Sequence, residues 1–496
     1  MNLASRSAII LFTESFRVAT TLAMGMILSR WLTKTDNGTF NQALILVYPL
    51  FSTVLSLSLP QSLYYFLPKS PDLDRPRVMT QTISMTLLMA AVTGLVMFAG
   101  AGLIGRWMNN ADLPVMLRIL SLYPLMDMVS QLVCPALISI ERMGSSAFFG
   151  VTFSLVRIGS VVVPVWLGFP LVRVFEFLVL GACFTAGMGL VILVFRLKVR
   201  RFEWSGQLAR EQIKYCIPLA GALAVGLLGR QMDKWIVGLF FPPDQWVIFS
   251  NGAMELPLVG ILTGGLISAI LPEMVRSAES KRLMEAFGLW KRTSRVTALA
   301  IFPTFVLSLM FAPELMMVLF GAGYVESSYP FVVYLFVLPI RIVYFNALLR
   351  ALSVTPPIMV GALLSLGINA VVGFGLAALA GKSMLGFLSP AAASVLSQYL
   401  AAWYLLHAIR KVSGVGISDA LPWGALLKLM AFSVLAGIPV LPIVYLPWPA
   451  ITKLLAAAVV YLAGYGIILY WSGWLSEDER RLLSRVVHFK RSESHE

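Results

Sequence analysis

The sequence predicts an all-α, polytopic membrane protein with fourteen transmembrane helices. Three observations carry that expectation. Of the 496 residues, 58% are hydrophobic and only 12% are charged. The apolar residues gather in runs long enough to cross a bilayer, and the basic residues fall mainly between alternate runs. Soluble domains carry about 25% charged residues, and a large share of any globule still faces water, so the surplus apolar surface has to face lipid. The runs are too long and too uniformly apolar for barrel strands, and helices satisfy every backbone polar group within one segment.

A span needs about 20 predominantly apolar residues. The first, 7–31, starts directly after Met1-Asn2-Leu3-Ala4-Ser5-Arg6, and no cleavable signal is expected before it. Runs at 40–67, 79–104, 114–140, 146–167 and 171–195 complete a group of six. After a basic break (Arg196, Lys198, Arg200, Arg201, Arg210) come 212–241, 247–272, 293–320, 330–352, 356–380 and 384–410. A final pair lies at 422–446 and 450–474. The expected organisation is an N-terminal six-helix bundle over 1–200, a second over 201–412, two additional helices over 413–475, and a basic cytoplasmic tail over 476–496. In the tail, Arg480, Arg481 and Arg485 alternate with Leu482, Leu483, Val486 and Val487, the pattern of an interfacial helix or of a plain solvated tail.

A net charge of +14 would suggest a nucleic-acid partner in a soluble protein. Here the positive-inside bias accounts for it. With a cytoplasmic N-terminus, most of the 38 Lys and Arg lie on the cytoplasmic side, and only Arg30, Lys34, Arg106, Arg118, Arg173, Lys382 and Lys453 lie outside. A missed or invented span would shift every later loop to the wrong side. Both termini are therefore expected in the cytoplasm, with no nucleic-acid partner. Cys134, Cys183 and Cys216 sit in apolar segments without paired spacing, and His407, His488 and His495 are scattered, so no disulfide framework or metal site is expected. Gly381-Lys382-Ser383 lacks the glycine a phosphate loop requires at position 376, which is Leu376, and is expected to be a turn. Pro49, Pro124, Pro164, Pro218, Pro257, Pro303 and Pro339 lie inside spans and are expected to kink them.

The first two spans and the seventh and eighth share a plan. One outer turn reads Lys34-Thr35-Asp36-Asn37-Gly38-Thr39-Phe40-Asn41-Gln42-Ala43, and the other runs from Pro242-Pro243-Asp244 to Asn251-Gly252-Ala253. Each is followed by an apolar helix expected to end in proline, at Leu57-Ser58-Leu59-Pro60 and at Ser268-Ala269-Ile270-Leu271-Pro272. The copies lie six spans apart and so repeat in parallel orientation.

These segments, with Leu28-Ser29-Arg30-Trp31-Leu32, Gln61-Ser62-Leu63-Tyr64-Tyr65 and Ile217-Pro218 through Asp233-Lys234-Trp235-Ile236-Val237-Gly238, resemble the polysaccharide flippases of the Wzx type. That family belongs to the superfamily of lipid II flippases and multidrug extruders. Its members often carry glycine where this chain has Ser58 and Trp246. The resemblance implies two six-helix bundles rocking about a central cavity, which carries an undecaprenyl-diphosphate-linked oligosaccharide to the outer leaflet of the bacterial inner membrane. It also implies O-antigen or exopolysaccharide biosynthesis beside a polymerase and other assembly proteins, and a groove for the isoprenoid tail at the last two helices.

Ten ionisable residues fall at membrane depth: Glu14, Arg17, Asp127, Arg157, Arg230, Asp233, Lys234, Glu255, Glu314 and Arg341. Such groups are costly in lipid and face a cavity or one another. On the flippase reading Arg17, Arg157, Arg230, Lys234 and Arg341 bind the diphosphate. Asp233, Asp127 and Glu14 could couple transport to a proton or Na⁺, with no other cofactor. On the structural reading the same ten pair internally, since cations and anions are equal in number. Glu314, after Pro313 near the outer end of its span, reads as structural or interfacial. A drug antiporter of the same superfamily predicts twelve core spans and an acid-dominated cavity. A membrane enzyme predicts a large outer loop with reactive residues, and every outer loop here is short and nearly free of His, Asp and Glu.

Overall fold

A computed structural model describes residues 3–71, 73–197, 204–280 and 282–474. Helices are the only regular elements among them. The basic tail, and Lys198, Arg200, Arg201 and Lys281 of the two basic loops, lie outside the described residues. Ten helices are long and apolar enough to cross a membrane, and two bent pairs, Leu113–Leu120 with Tyr123–Ser139 and Ala322–Leu335 with Leu338–Ala351, raise the number to twelve. The first and eighth expected spans fall on Leu3–Trp31 and Pro257–Glu279, of 29 and 23 residues. Each of the fourteen expected runs thus lands on helix.

Proline marks the breaks by its position rather than by its presence. The bent pairs turn by 52° and 45°, and in each the new helix carries proline at its second residue, Pro124 or Pro339. There the missing N–H is one the first turn could not use anyway. Pro257 likewise opens a helix. Pro164, Pro218 and Pro303 instead ride inside helices that continue through them. Pro49 follows a π-helical stretch, Gln42–Val47, which widens the turn ahead of it.

The two repeat copies break in different places, contrary to expectation. In the first, helix Tyr48–Leu55 ends, Leu57 and Ser58 take positive φ (51° and 56°), and Leu59–Lys69 starts anew. A left-handed backbone costs a non-glycine residue about 1–2 kcal/mol, which explains why a glycine suits the place of Ser58. In the second copy the helix runs through Pro272 to Glu279, and the unwound stretch lies earlier, at Ala253–Leu256. The break thus falls near the end of the run in one copy and near its start in the other.

The chain divides into two compact units. The first holds the described residues up to Asn251 with Leu319–Tyr324 and Ala362–Ser397. Its core includes Leu63, Phe66, Leu67, Leu132, Leu137, Phe149 and Leu193. Its outer turn is tied by buried side chains. The Asn37 amide donates to Ser29 (3.1 Å) and to the Tyr324 hydroxyl (2.9 Å), and that of Asn110 to Thr39 (2.9 Å) and Gln42 (2.7 Å). Gly38 lies against the carbonyl of Pro243, where any Cβ would collide, so the two repeat turns meet backbone to backbone.

The second unit holds Gly252–Val318, Val325–Gly361 and the described residues from Gln398 onward. Its core gathers Met274, Phe287, Trp290, Leu348, Leu349, Leu405 and Ile409. The last helix, Ala450–Trp471, is tied in by the Tyr461 hydroxyl, which donates to the carbonyl of Ser433 at 2.7 Å. Large apolar side chains of both units, such as Leu95, Phe195, Leu379 and Leu455, stand exposed as lipid requires.

Candidate functional site: charges at membrane depth

Helix geometry accounts for the first ion pair. Glu14 and Arg17 are three residues apart on Leu3–Trp31, which puts them on one face, and Arg17 Nε donates to Glu14 at 3.1 Å. Arg17 Nη2 donates to the same carboxylate oxygen at 2.5 Å, and both side chains stay more than half exposed.

Leu3–Trp31 packs along Met143–Trp166, and Gly150 allows close approach at Thr13. Arg17 and Arg157 consequently line one narrow cleft of about 10 Å³ with Thr20, Thr21 and Ser154. Arg157 also borders a second, equally narrow one of about 10 Å³, with Tyr123, Ser160 and Thr185. Its Nε is buried without a hydrogen-bond partner, although the guanidinium lies within electrostatic reach of Asp127 and Tyr123.

Asp127 is buried and accepts three hydrogen bonds, from the hydroxyls of Tyr48 and Tyr123 (the latter 2.9 Å) and from the Gln131 amide at 2.7 Å. Sequence reasoning missed both tyrosines. Their signal was position, since a tyrosine in the middle of a span cannot serve the interfacial belt.

On Gly206–Phe240 the spacing of Arg230 and Asp233 would permit an ion pair, but none forms. The buried carboxylate of Asp233 instead accepts the backbone N–H of Lys234 at 2.8 Å, and the Lys234 carbonyl takes the Trp246 indole N–H, also at 2.8 Å. Arg230 is exposed. Among the described residues, Arg157, Arg230 and Lys234 have no carboxylate partner. The clefts that join Arg17 to Arg157 include neither Arg230 nor Lys234.

In the second unit the charges close on one another. Arg341 ends the short helix Leu338–Arg341, and Glu255 lies in the unwound Ala253–Leu256. Their side chains meet at 3.0 Å and 3.4 Å. Glu314 is buried and accepts from Lys453 at 3.4 Å. An open apolar cleft of about 330 Å³ is lined by residues including Phe302, Trp403, Leu406, Trp423, Leu427 and Met430.

Residues 27–329 match the family model of polysaccharide biosynthesis proteins. The chain is similar in structure to the lipid II flippase MurJ in an inward-closed conformation. The identity there is 12% and the TM-score 0.73, over 94% of this chain and 99% of that one. An inward-facing multidrug resistance MATE family transporter of the MOP superfamily is also 12% identical, with a TM-score of 0.64 over 80% of this chain and 95% of that one. A MOP superfamily transporter from Pyrococcus furiosus is 13% identical, with a TM-score of 0.55 over 82% and 94%. No curated protein matches the chain. At these identities the likeness establishes the shared fold, a multi-pass arrangement of membrane helices.

Proposed function

The chain belongs to the polysaccharide biosynthesis protein family, and from that premise we propose that it flips an undecaprenyl-diphosphate-linked oligosaccharide from the cytoplasmic to the outer leaflet of the bacterial inner membrane, for O-antigen or exopolysaccharide assembly. One observation carries the reading: among the described residues Arg157, Arg230 and Lys234, all at membrane depth, form no salt bridge, although Asp127 lies within electrostatic reach of Arg157 and Asp233 of Lys234. A cation placed there costs about 2.5–3.5 kcal/mol even on lenient scales, and a diphosphate would relieve that cost. The planar fork of arginine suits phosphate oxygens, which it can bind two at a time. Arg17, beside Arg157 and paired with Glu14 on an exposed face, joins the set. Arg341 serves the ligand only when Glu255 releases it.

The apolar cleft at Trp403 and Trp423 would take the isoprenoid tail, each buried methylene contributing about 0.8 kcal/mol. Transport would proceed by alternating access, with both termini cytoplasmic as the basic loops require, and a polymerase and its assembly partners would take over the product. No cofactor is needed beyond a coupling ion. Asp233 is the group best suited to a proton or Na⁺, because among the described residues its carboxylate takes only backbone N–H groups. Asp127 is held by three donors and Glu14 by Arg17.

Export of surface polysaccharide in a host lacking its own flippase tests the reading. Arg17→Ala and Arg230→Ala should abolish export while the protein still inserts at its normal level. Full export by both would remove the cationic mechanism, whereas a wild type that exports no polysaccharide would favour the drug-antiporter alternative.

A further inference from the structure

Within the second unit, an open cleft of about 260 Å³ lies against the break in the tenth span. The helix Leu338–Arg341 stops there, Ile342–Tyr344 are not helical, and Phe345–Ala351 begins. Asn346 is therefore in a first helical turn and exposed, and across the cleft Gln398 is presented by Met384–Ser413. Neither amide has a hydrogen-bond partner among the described residues. Thr263 donates to the carbonyl of Val259 at 2.8 Å and keeps its oxygen free to accept, while the Tyr344 hydroxyl is engaged with Thr297 at 2.9 Å.

The polar groups this cleft can offer are thus neutral. Its cation, Arg341, is already closed by Glu255. A phosphate would meet a neutralised guanidinium here, whereas Arg157, Arg230 and Lys234 in the other unit stand open. Free side-chain amides that both donate and accept match a ligand whose groups do the same. Phe345 adds an apolar face. Densely hydroxylated sugar rings, polar at the rim and apolar on the face, have that chemistry.

We infer that this cleft of the second unit is a saccharide subsite, in which Asn346 and Gln398 bind sugar hydroxyls. The inference rests on the lipid-linked reading above. It is tested on the full chain in nanodiscs with two kinds of probe: undecaprenyl diphosphate alone, and the same lipid bearing N-acetylglucosamine or galactose. The wild type should bind a sugar-bearing lipid about tenfold more tightly than the bare one, as two added hydrogen bonds allow. N346A/Q398A should erase that preference and leave bare-lipid affinity unchanged. Because neither side chain makes an internal bond, its melting temperature should match the wild type. R230A should weaken both probes and keep the preference. A double variant that weakens both probes alike or neither, or a wild type with no preference for either sugar, would overturn the subsite. A wild type that binds no probe would instead overturn the lipid-linked reading itself.

Discussion

In the first unit, among the described residues, Arg157, Arg230 and Lys234 lie at membrane depth without a salt bridge, whereas in the second Glu255 bonds Arg341 and Glu314 bonds Lys453. Both units draw on the same residue types, so composition does not set them apart. Pairing does. A closed pair is complete without a ligand, and its worth lies in holding two helices together. An open cation in an apolar surround is incomplete until an anion arrives. The difference assigns stability to the charges of one unit and binding to those of the other.

The contrast can be broken or sharpened in order of expected effect. Glu314→Gln should be the most damaging to stability, since removing one partner of a buried pair costs about 3 kcal/mol. The loss would appear as a lowered melting temperature of the detergent-solubilised protein, and Glu314→Leu with Lys453→Met should recover most of it. If Glu314→Gln melts like the wild type, the pair is not structural. Next, Arg157→Ala should leave melting unchanged but cut export at least tenfold, the loss of one charge-assisted hydrogen bond being about 1.5–3 kcal/mol. A stability loss without an export loss would reverse the assignment. The half-exposed Glu255–Arg341 pair should tolerate exchange. Glu255→Arg with Arg341→Glu should export within about twofold of wild type, because exposed pairs contribute no more than about 1 kcal/mol, while either single reversal should fail. Failure of the exchange would mean that Arg341 meets the ligand itself. Smallest of all, Ser58→Gly should raise stability by about 1 kcal/mol, since it relieves a left-handed backbone and deletes a buried hydroxyl that lacks a partner. A lower melting temperature would give that hydroxyl a role.

Much of the architecture was legible because lipid imposes a simple rule. Apolar length marks spans, and loop charge tests their number. The breaks were less legible. A proline code letter is the same whether it opens a helix, as Pro60, Pro124 and Pro339 do, or rides inside one, as Pro218 and Pro272 do. Only packing decides which. Charge pairing divided by distance along the chain. Glu14–Arg17 could be read from its spacing, but Glu255 and Arg341 lie 86 positions apart and Glu314 and Lys453 lie 139 apart. The spacing of Arg230 and Asp233 predicted contact just as well, yet Asp233 took a backbone N–H instead. Tyr123 stands four positions before Asp127 on one helix and could have been read from that spacing, whereas Tyr48 lies 79 positions away and could not.

The bond between Glu314 and Lys453 also has a consequence for the making of the protein. Chains emerge from the ribosome at about 5–20 residues per second, so the carboxylate enters the bilayer roughly 7–28 seconds before its cation is synthesised. Through that interval the ninth span carries an uncompensated charge that only the final helix can quench. A chain cut short anywhere between the two keeps that charge for its whole lifetime, and so carries within the membrane a mark by which proteolytic quality control could tell an unfinished copy from a finished one.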